Sequence, residues 1–155
     1  MLTLLLGLTA SALLLAGPTM IIQGLVGRRT VSRELAAQRI SFPVEANLPT
    51  GLLHYAGTPV HTGVQARAFS ELIAVHVAKA TGGRTYSEIA DQWMAGDRDD
   101  ERLNGLRETA FMGQSLRGAL LGAYQAWQIT LLVTAMGGAF TVMGAAFLAL
   151  AVHLR

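Results

Sequence analysis

Apolar positions crowd the two ends of the chain and thin out in its middle. From Met1 to Gly27 no side chain carries a charge, and from Gly118 to Leu154 none does again. Every acidic residue, and every basic residue except Arg155, lies between Arg28 and Arg117. A bilayer core of roughly 30 Å needs about 20 predominantly apolar residues in helical form, and each end supplies more than that. The pattern predicts an all-α membrane protein in which two transmembrane helices flank a roughly 90-residue helical polar domain. Residues 1–27 form the first span, 28–117 the polar domain, and 118–155 a lead-in and the second span.

A cleaved secretory leader would have a basic start and a shorter apolar core. "MLTLLLGLTASALLLAGPTMIIQGLVG" has neither and is followed by Arg28 and Arg29, so it reads as an uncleaved span. Pro18, beside Gly17, is expected to bend or loosen this helix, which packed neighbours tolerate in lipid. In the second run Tyr124 and Trp127 sit one turn apart near the start, and His153 and Arg155 close it, as an aromatic belt and a polar anchor would.

Between the spans, "RRTVSRELAAQR" continues the first helix by two or three turns. Pro43, Pro49 and Pro59 with Gly51, Gly57 and Gly63 then forbid a continuous helix and predict extended or looping chain. Helix returns in "VQARAFSELIAVHVAKA", where Phe69, Leu72, Ile73, His76, Val77 and Ala80 follow the 3-4 spacing of one buried face. Gly82 suits a left-handed helix end, and Thr85 with Glu88 three residues on makes a capping box for the next helix. A phosphate-cradling loop would require a preceding strand and a Lys after a second glycine, so Gly82, Gly83, Thr85 and Glu88 read as a helix cap and turn. After Gly96 a last helix is expected to be capped by Asp97 or Asp99 and to run on toward the second span. The acidic cluster Asp97, Asp99, Asp100 and Glu101 is interleaved with Arg98 and Arg102, which suits a solvated helix start and not a calcium loop.

The second span carries small residues at every fourth position, Gly137, Thr141, Ala145 and Ala149, widened by Gly138 and Thr134. Lipid gives helices no hydrophobic drive to associate, so such a stripe predicts close approach by another helix. One occupant is the chain's own first helix through Thr3, Gly7 and Ser11; the other, favoured, is a helix of a partner subunit. No charged residue lies within either span, which argues against an ion path through this chain alone.

Candidate chemistry is sparse. Absent cysteine excludes disulfides and thiolate metal sites. A net charge of +2 in mixed signs gives no basic stripe for nucleic acid. His54, His61 and His76 supply enough nitrogen ligands for zinc or iron, yet their spacing fits no compact ligand motif. His76 is expected to be a buried, hydrogen-bonded core residue. No cofactor is expected.

The order of a membrane helix, "ELAAQRISFPVEA", an alanine-rich helix ending "ATGGRTYSEI", a charged stretch, and "SLRGALLGAY" leading into a second membrane helix resembles a family of small actinobacterial membrane proteins. The resemblance covers nearly the whole chain. Members often carry the label aromatic ring-opening dioxygenase, a chemistry that needs a dedicated iron-binding domain for which the polar middle leaves little room. Small membrane proteins of this kind also occur as accessory subunits of actinobacterial respiratory assemblies. By resemblance the amino terminus is inside and the polar domain extracytoplasmic. Against this, Arg28, Arg29, Arg33, Arg39, Arg107 and Arg117 crowd the loop side of the spans, which the positive-inside rule would place in the cytoplasm. The reading adopted is a plasma-membrane protein with two spans and an outside loop. Its function is that of a non-catalytic accessory or scaffold subunit binding integral membrane subunits. The alternative is a membrane-tethered enzyme or metal-binding protein using His54, His61 and His76.

Overall fold

The computed structural model describes residues 1–44, 48–96 and 99–154. Its regular elements are helices: α1 (Leu2–Ala37), a 3-10 helix (Thr50–Tyr55), α2 (Gly63–Thr81), α3 (Tyr86–Ala95) and α4 (Glu101–His153). Helices α1 and α4 are long and apolar enough to cross a membrane. No strand forms among the described residues; the one β-bridge there joins Ser41 and Pro59. The chain divides into two compact units, Met1–Arg33 with Ala126–Arg155, and Glu34–Gln125.

Helix α1 passes through Pro18 without interruption. Hydroxyls along it return to their own backbone: Thr9 donates to the Leu5 carbonyl at 2.9 Å, Ser11 to Gly7 at 2.9 Å and Thr19 to Leu15 at 2.8 Å. Each of these hydroxyls thus finds its acceptor within the same helix, four residues back.

In Glu34–Gln125, α1 ends at Ala37 and Arg39 adopts a left-handed φ of 52°, turning the chain into an extended stretch. There the Phe42 amide donates to the Thr58 carbonyl at 2.9 Å and the Val60 amide to Ile40 at 2.8 Å. This pairing holds Phe42, 3% exposed, between Tyr55 (rings stacked, 4.9 Å) and Phe69 (edge-on, 5.2 Å). Thr62 then caps α2 through a reciprocal box with Gln65, a T-x-x-Q signal of the same kind as the one at Thr85.

The face that α2 buries differs from the expected one. Ala66, Ser70, Leu72 and Thr81 are buried and Phe69, Ile73 and Val77 half-buried, whereas His76 and Ala80 are exposed. The core histidine is therefore a misassignment: His76 shares the side of Leu72 and Phe69, but in the last turns of α2 the cover has shrunk to Val77 and Thr81, and Val75, His76, Ala78, Lys79 and Ala80 are exposed. A Cβ added at Gly113 of α4 would meet the Val77 side chain, so α2 and α4 approach where one has no side chain.

The cap of α4 also differs. Its first turn is closed by Asp100, whose carboxylate accepts from the Leu103 amide at 3.0 Å, and not by Asp99; Asp97, the other expected cap, lies outside the described residues. From Glu101 the helix then runs 53 residues to His153.

Candidate functional site

Within Met1–Arg33 and Ala126–Arg155, α1 and α4 pack antiparallel through small residues repeated every seventh position. On α1 these are Ala10, Gly17 and Gly24; on α4 they are Gly137, Gly144 and Ala151, all buried, with Thr130 half-buried one repeat earlier. A Cβ added at Gly17 would lie 2.7 Å from the Gly137 carbonyl oxygen, and one at Gly137 would lie 2.6 Å from that of Gly17. At Gly24 the obstacles are Thr134 and the Thr130 carbonyl oxygen, 2.8 Å away; at Gly144 they are Leu14 at 2.9 Å and the Ala10 carbonyl at 3.1 Å. Partners descend α4 as positions ascend α1, which is antiparallel order. The seven-residue repeat, 3.5 per turn, is the one that keeps a seam in register between helices wrapped left-handedly.

The stripe read from the sequence divides on this geometry. Gly137 and Thr141 lie on the seam, Thr141 beside Gly17 and donating its hydroxyl to the Gly137 carbonyl at 2.8 Å. Thr134 faces Gly24 in the same way. Ala145 and Ala149 are exposed, lining a shallow groove with Leu14, Leu148, Val152 and His153. Gly138 is half-buried, with nothing within 4 Å of an added Cβ. On α1 the seam bypasses Gly7, which has open space, and Ser11, which is exposed. Four-residue spacing drifts around a helix of 3.6 residues per turn, so a stripe at 137, 141, 145 and 149 leaves the contact after its first two members. Gly17, Gly24 and Gly144 were missed by the sequence reading although their seven-residue spacing was visible in it.

At the border of this unit the Arg28 guanidinium lies over the Trp127 ring, 4.4 Å from its centroid. That Trp127 is covered by Arg28 of the other helix is a finding of the structure that the sequence did not predict.

In Glu34–Gln125 the turn after α2 is sewn by short-range bonds. Gly82 caps the helix with φ 65° and ψ 32°, and Gly83 follows at φ 80°. The buried Thr81 hydroxyl donates to the Arg84 carbonyl at 2.8 Å, and Arg84 returns its Nε to the Thr81 carbonyl at 3.0 Å. The Glu88 carboxylate accepts from the Thr85 amide at 2.7 Å and hydroxyl at 2.9 Å. Those bonds, the backbone one foremost, hold its pKa below the usual 4.5. Farther along, Arg107 covers the Trp93 ring at 4.0 Å beside an open cleft lined by Tyr86, Asn104, Glu108 and Phe111. Arg67 donates to the Tyr124 hydroxyl at 3.3 Å and pairs with Glu71 at 3.4 Å, which raise its already high pKa in that order.

The three histidines do not converge. His54 is exposed against the Tyr55 ring, His61 is exposed with Nδ1 3.2 Å from the Pro59 carbonyl, and His76 is exposed on α2. Among the described residues no three His, Asp or Glu side chains gather as metal ligands would. In comparisons with known proteins, the chain matches no family model, no curated protein and no solved structure.

Proposed function

We propose that α1 and α4 lie in the lipid bilayer of the cell membrane, and that the chain is a non-catalytic accessory or scaffold subunit of a multi-subunit assembly of integral membrane proteins. The observation carrying this reading is how little of the apolar surface the two helices hide. The most apolar stretches of α1 and α4 are only 11% and 17% buried. Leu4, Leu8, Leu15 and Ile22 on one helix and Ile129, Leu132 and Val142 on the other stay exposed. In water such surface costs roughly 25 cal/mol per Å²; lipid removes that cost. A core helix of a soluble domain would hide this surface in its own fold.

Two helices meeting along glycines enclose no space for a transported solute, and their apolar stretches hold no charge to relay one. What such a hairpin offers is surface. Ala145 and Ala149, small and turned outward, leave room for a partner helix to approach. On the family resemblance the assembly is a respiratory one and the polar domain between the spans extracytoplasmic; cysteine-labelling of intact cells at Arg84 against Met1 decides the side.

The test of membrane residence is an alkaline wash, which strips peripheral proteins and leaves spans behind; a chain that washes off ends the proposal. For assembly, a tagged chain is extracted in mild detergent alongside an Ala145→Leu/Ala149→Leu variant. Defined subunits should accompany the first and be lost from the second while membrane insertion is unchanged. Equal recovery with both would refute the subunit reading.

A further inference from the structure

The unit formed by Met1–Arg33 and Ala126–Arg155 contains no aspartate or glutamate. Three of its four arginines are gathered: Arg28 and Arg29 follow directly on the apolar Leu25, Val26 and Gly27 of α1, and Arg33 comes one turn after Arg29. Arg28 rests on Trp127, so its charge is oriented by an aromatic face and not neutralised by a carboxylate. Arg29 and Arg33 stand one turn apart on the same face and are exposed. Among the described residues neither is paired with an acid; the ion pair found there is Arg67–Glu71. The nearest acid in sequence, Glu34, follows Arg33 and sits about 100° around the helix from it.

We propose that Arg29 and Arg33, flanked by Arg28 and Trp127, bind the phosphodiester of an anionic phospholipid headgroup. Side chains four residues apart on a helix have Cβ atoms about 5–6 Å apart, close enough for two guanidinium forks to close on one phosphate from both sides. Guanidinium is more weakly hydrated than ammonium and matches phosphate oxygens two at a time, which suits it to a half-wet headgroup layer. The acyl chains of that lipid have a surface to follow, since Ile22, Leu25 and Val26 just before the arginines are exposed and apolar. This continuity favours lipid over a carboxylate of a partner protein. The inference rests on α1 and α4 lying in a bilayer, and it holds for either leaflet.

Trp127 provides the readout. With Trp93→Phe as background, Trp127 is the remaining tryptophan. The purified chain is reconstituted into phosphatidylcholine vesicles in which a fixed fraction of lipid is either brominated phosphatidylcholine or brominated phosphatidylglycerol, and quenching of Trp127 is compared. The anionic lipid should quench more strongly at equal mole fraction. Each of Arg29→Gln and Arg33→Gln should cut that preference about fivefold, as roughly one arginine's share of the attraction to an anionic surface, while Arg29→Lys retains part of it. Both positions are exposed, so the variants keep the seam. Equal quenching by the two lipids, or a preference that survives the double Gln variant, overturns the proposal. If neither lipid quenches Trp127, the membrane placement itself is wrong and the headgroup site falls with it.

Discussion

Gly17 and Gly137 face each other across α1 and α4 so closely that a Cβ on either would come within 2.7 Å of the other's carbonyl oxygen. Atoms at that distance cannot be relieved by turning a side chain, because both obstacles are backbone. Gly17→Ala or Gly137→Ala is therefore expected to destabilise the helix pair by roughly 1–3 kcal/mol. Gly7→Ala, with open space around it, should be neutral or stabilising by up to about 1 kcal/mol through lower backbone entropy. Thermal unfolding in detergent compares the three; equal midpoints would mean the helices do not meet at these glycines.

A different cause makes Gly82 irreplaceable. Nothing lies within 4 Å of its added Cβ, so the cost there is conformational, from φ of 65°. Gly82→Ala should cost about 1–2 kcal/mol and Gly82→Asn distinctly less, since Asn tolerates the left-handed region. Gly105 of α4 has the same open space without the left-handed backbone. Gly105→Ala should gain stability where Gly82→Ala loses it, and urea midpoints of the two variants test the contrast.

The approach of Gly113 to Val77 is expected to behave as a coupled pair. Gly113→Ala alone places a methyl against the Val77 side chain and should cost roughly 1–3 kcal/mol. Val77→Ala opens that space, so the double variant should be more stable than the sum of the singles by about 0.5–3 kcal/mol. Strict additivity in a double-mutant cycle would show that α2 and α4 do not touch there.

Glu88 sets the acid limit of the α3 cap. Its pKa is lowered in the folded chain, so its contribution is full above the ordinary carboxylate value of 4.5 and is lost as the pH falls through the lower, folded value. Hydrogen exchange at the Glu88 and Ile89 amides should accelerate, relative to its intrinsic rate, only below about pH 4.5. Glu88→Gln, which keeps an acceptor without a titrating proton, should make the same amides insensitive to acid. Identical acid dependence in the two proteins would show that the cap is not the cause.

Local chemistry accounts for what could be read before folding. The stop at Gly82, the start at Thr85 and the helix breaks at Pro43, Pro49 and Pro59 depend on residues at most a few positions apart, whose preferences hold with or without the rest of the chain. His76 escaped the same logic because apolar periodicity says which face of a helix is inward but not how far along the helix that face stays covered: Leu72 and Phe69 on the same side are buried or half-buried, whereas His76 and Ala80 farther on are exposed. Which turns of α2 are covered depends on the other elements, as where Val77 meets Gly113 of α4. Asp100 caps α4 where Asp97 or Asp99 was expected, because in a run of acids each is a competent cap and local preference does not choose among them.

The sequence by itself determined that two ends of this chain are long, apolar and helical, because charge and hydropathy are properties of residues and need no partner. Only the tertiary structure decided which glycines matter. A stripe at fourfold spacing and one at sevenfold spacing coexist in the second apolar run, and only the first was read as a packing surface. The seam formed at Gly137 and Gly144, opposite Gly17 and Ala10, because contact between two long helices must stay in register over many turns. A repeat of 3.5 residues per turn does so when the helices wrap slightly, while a repeat of four rotates away.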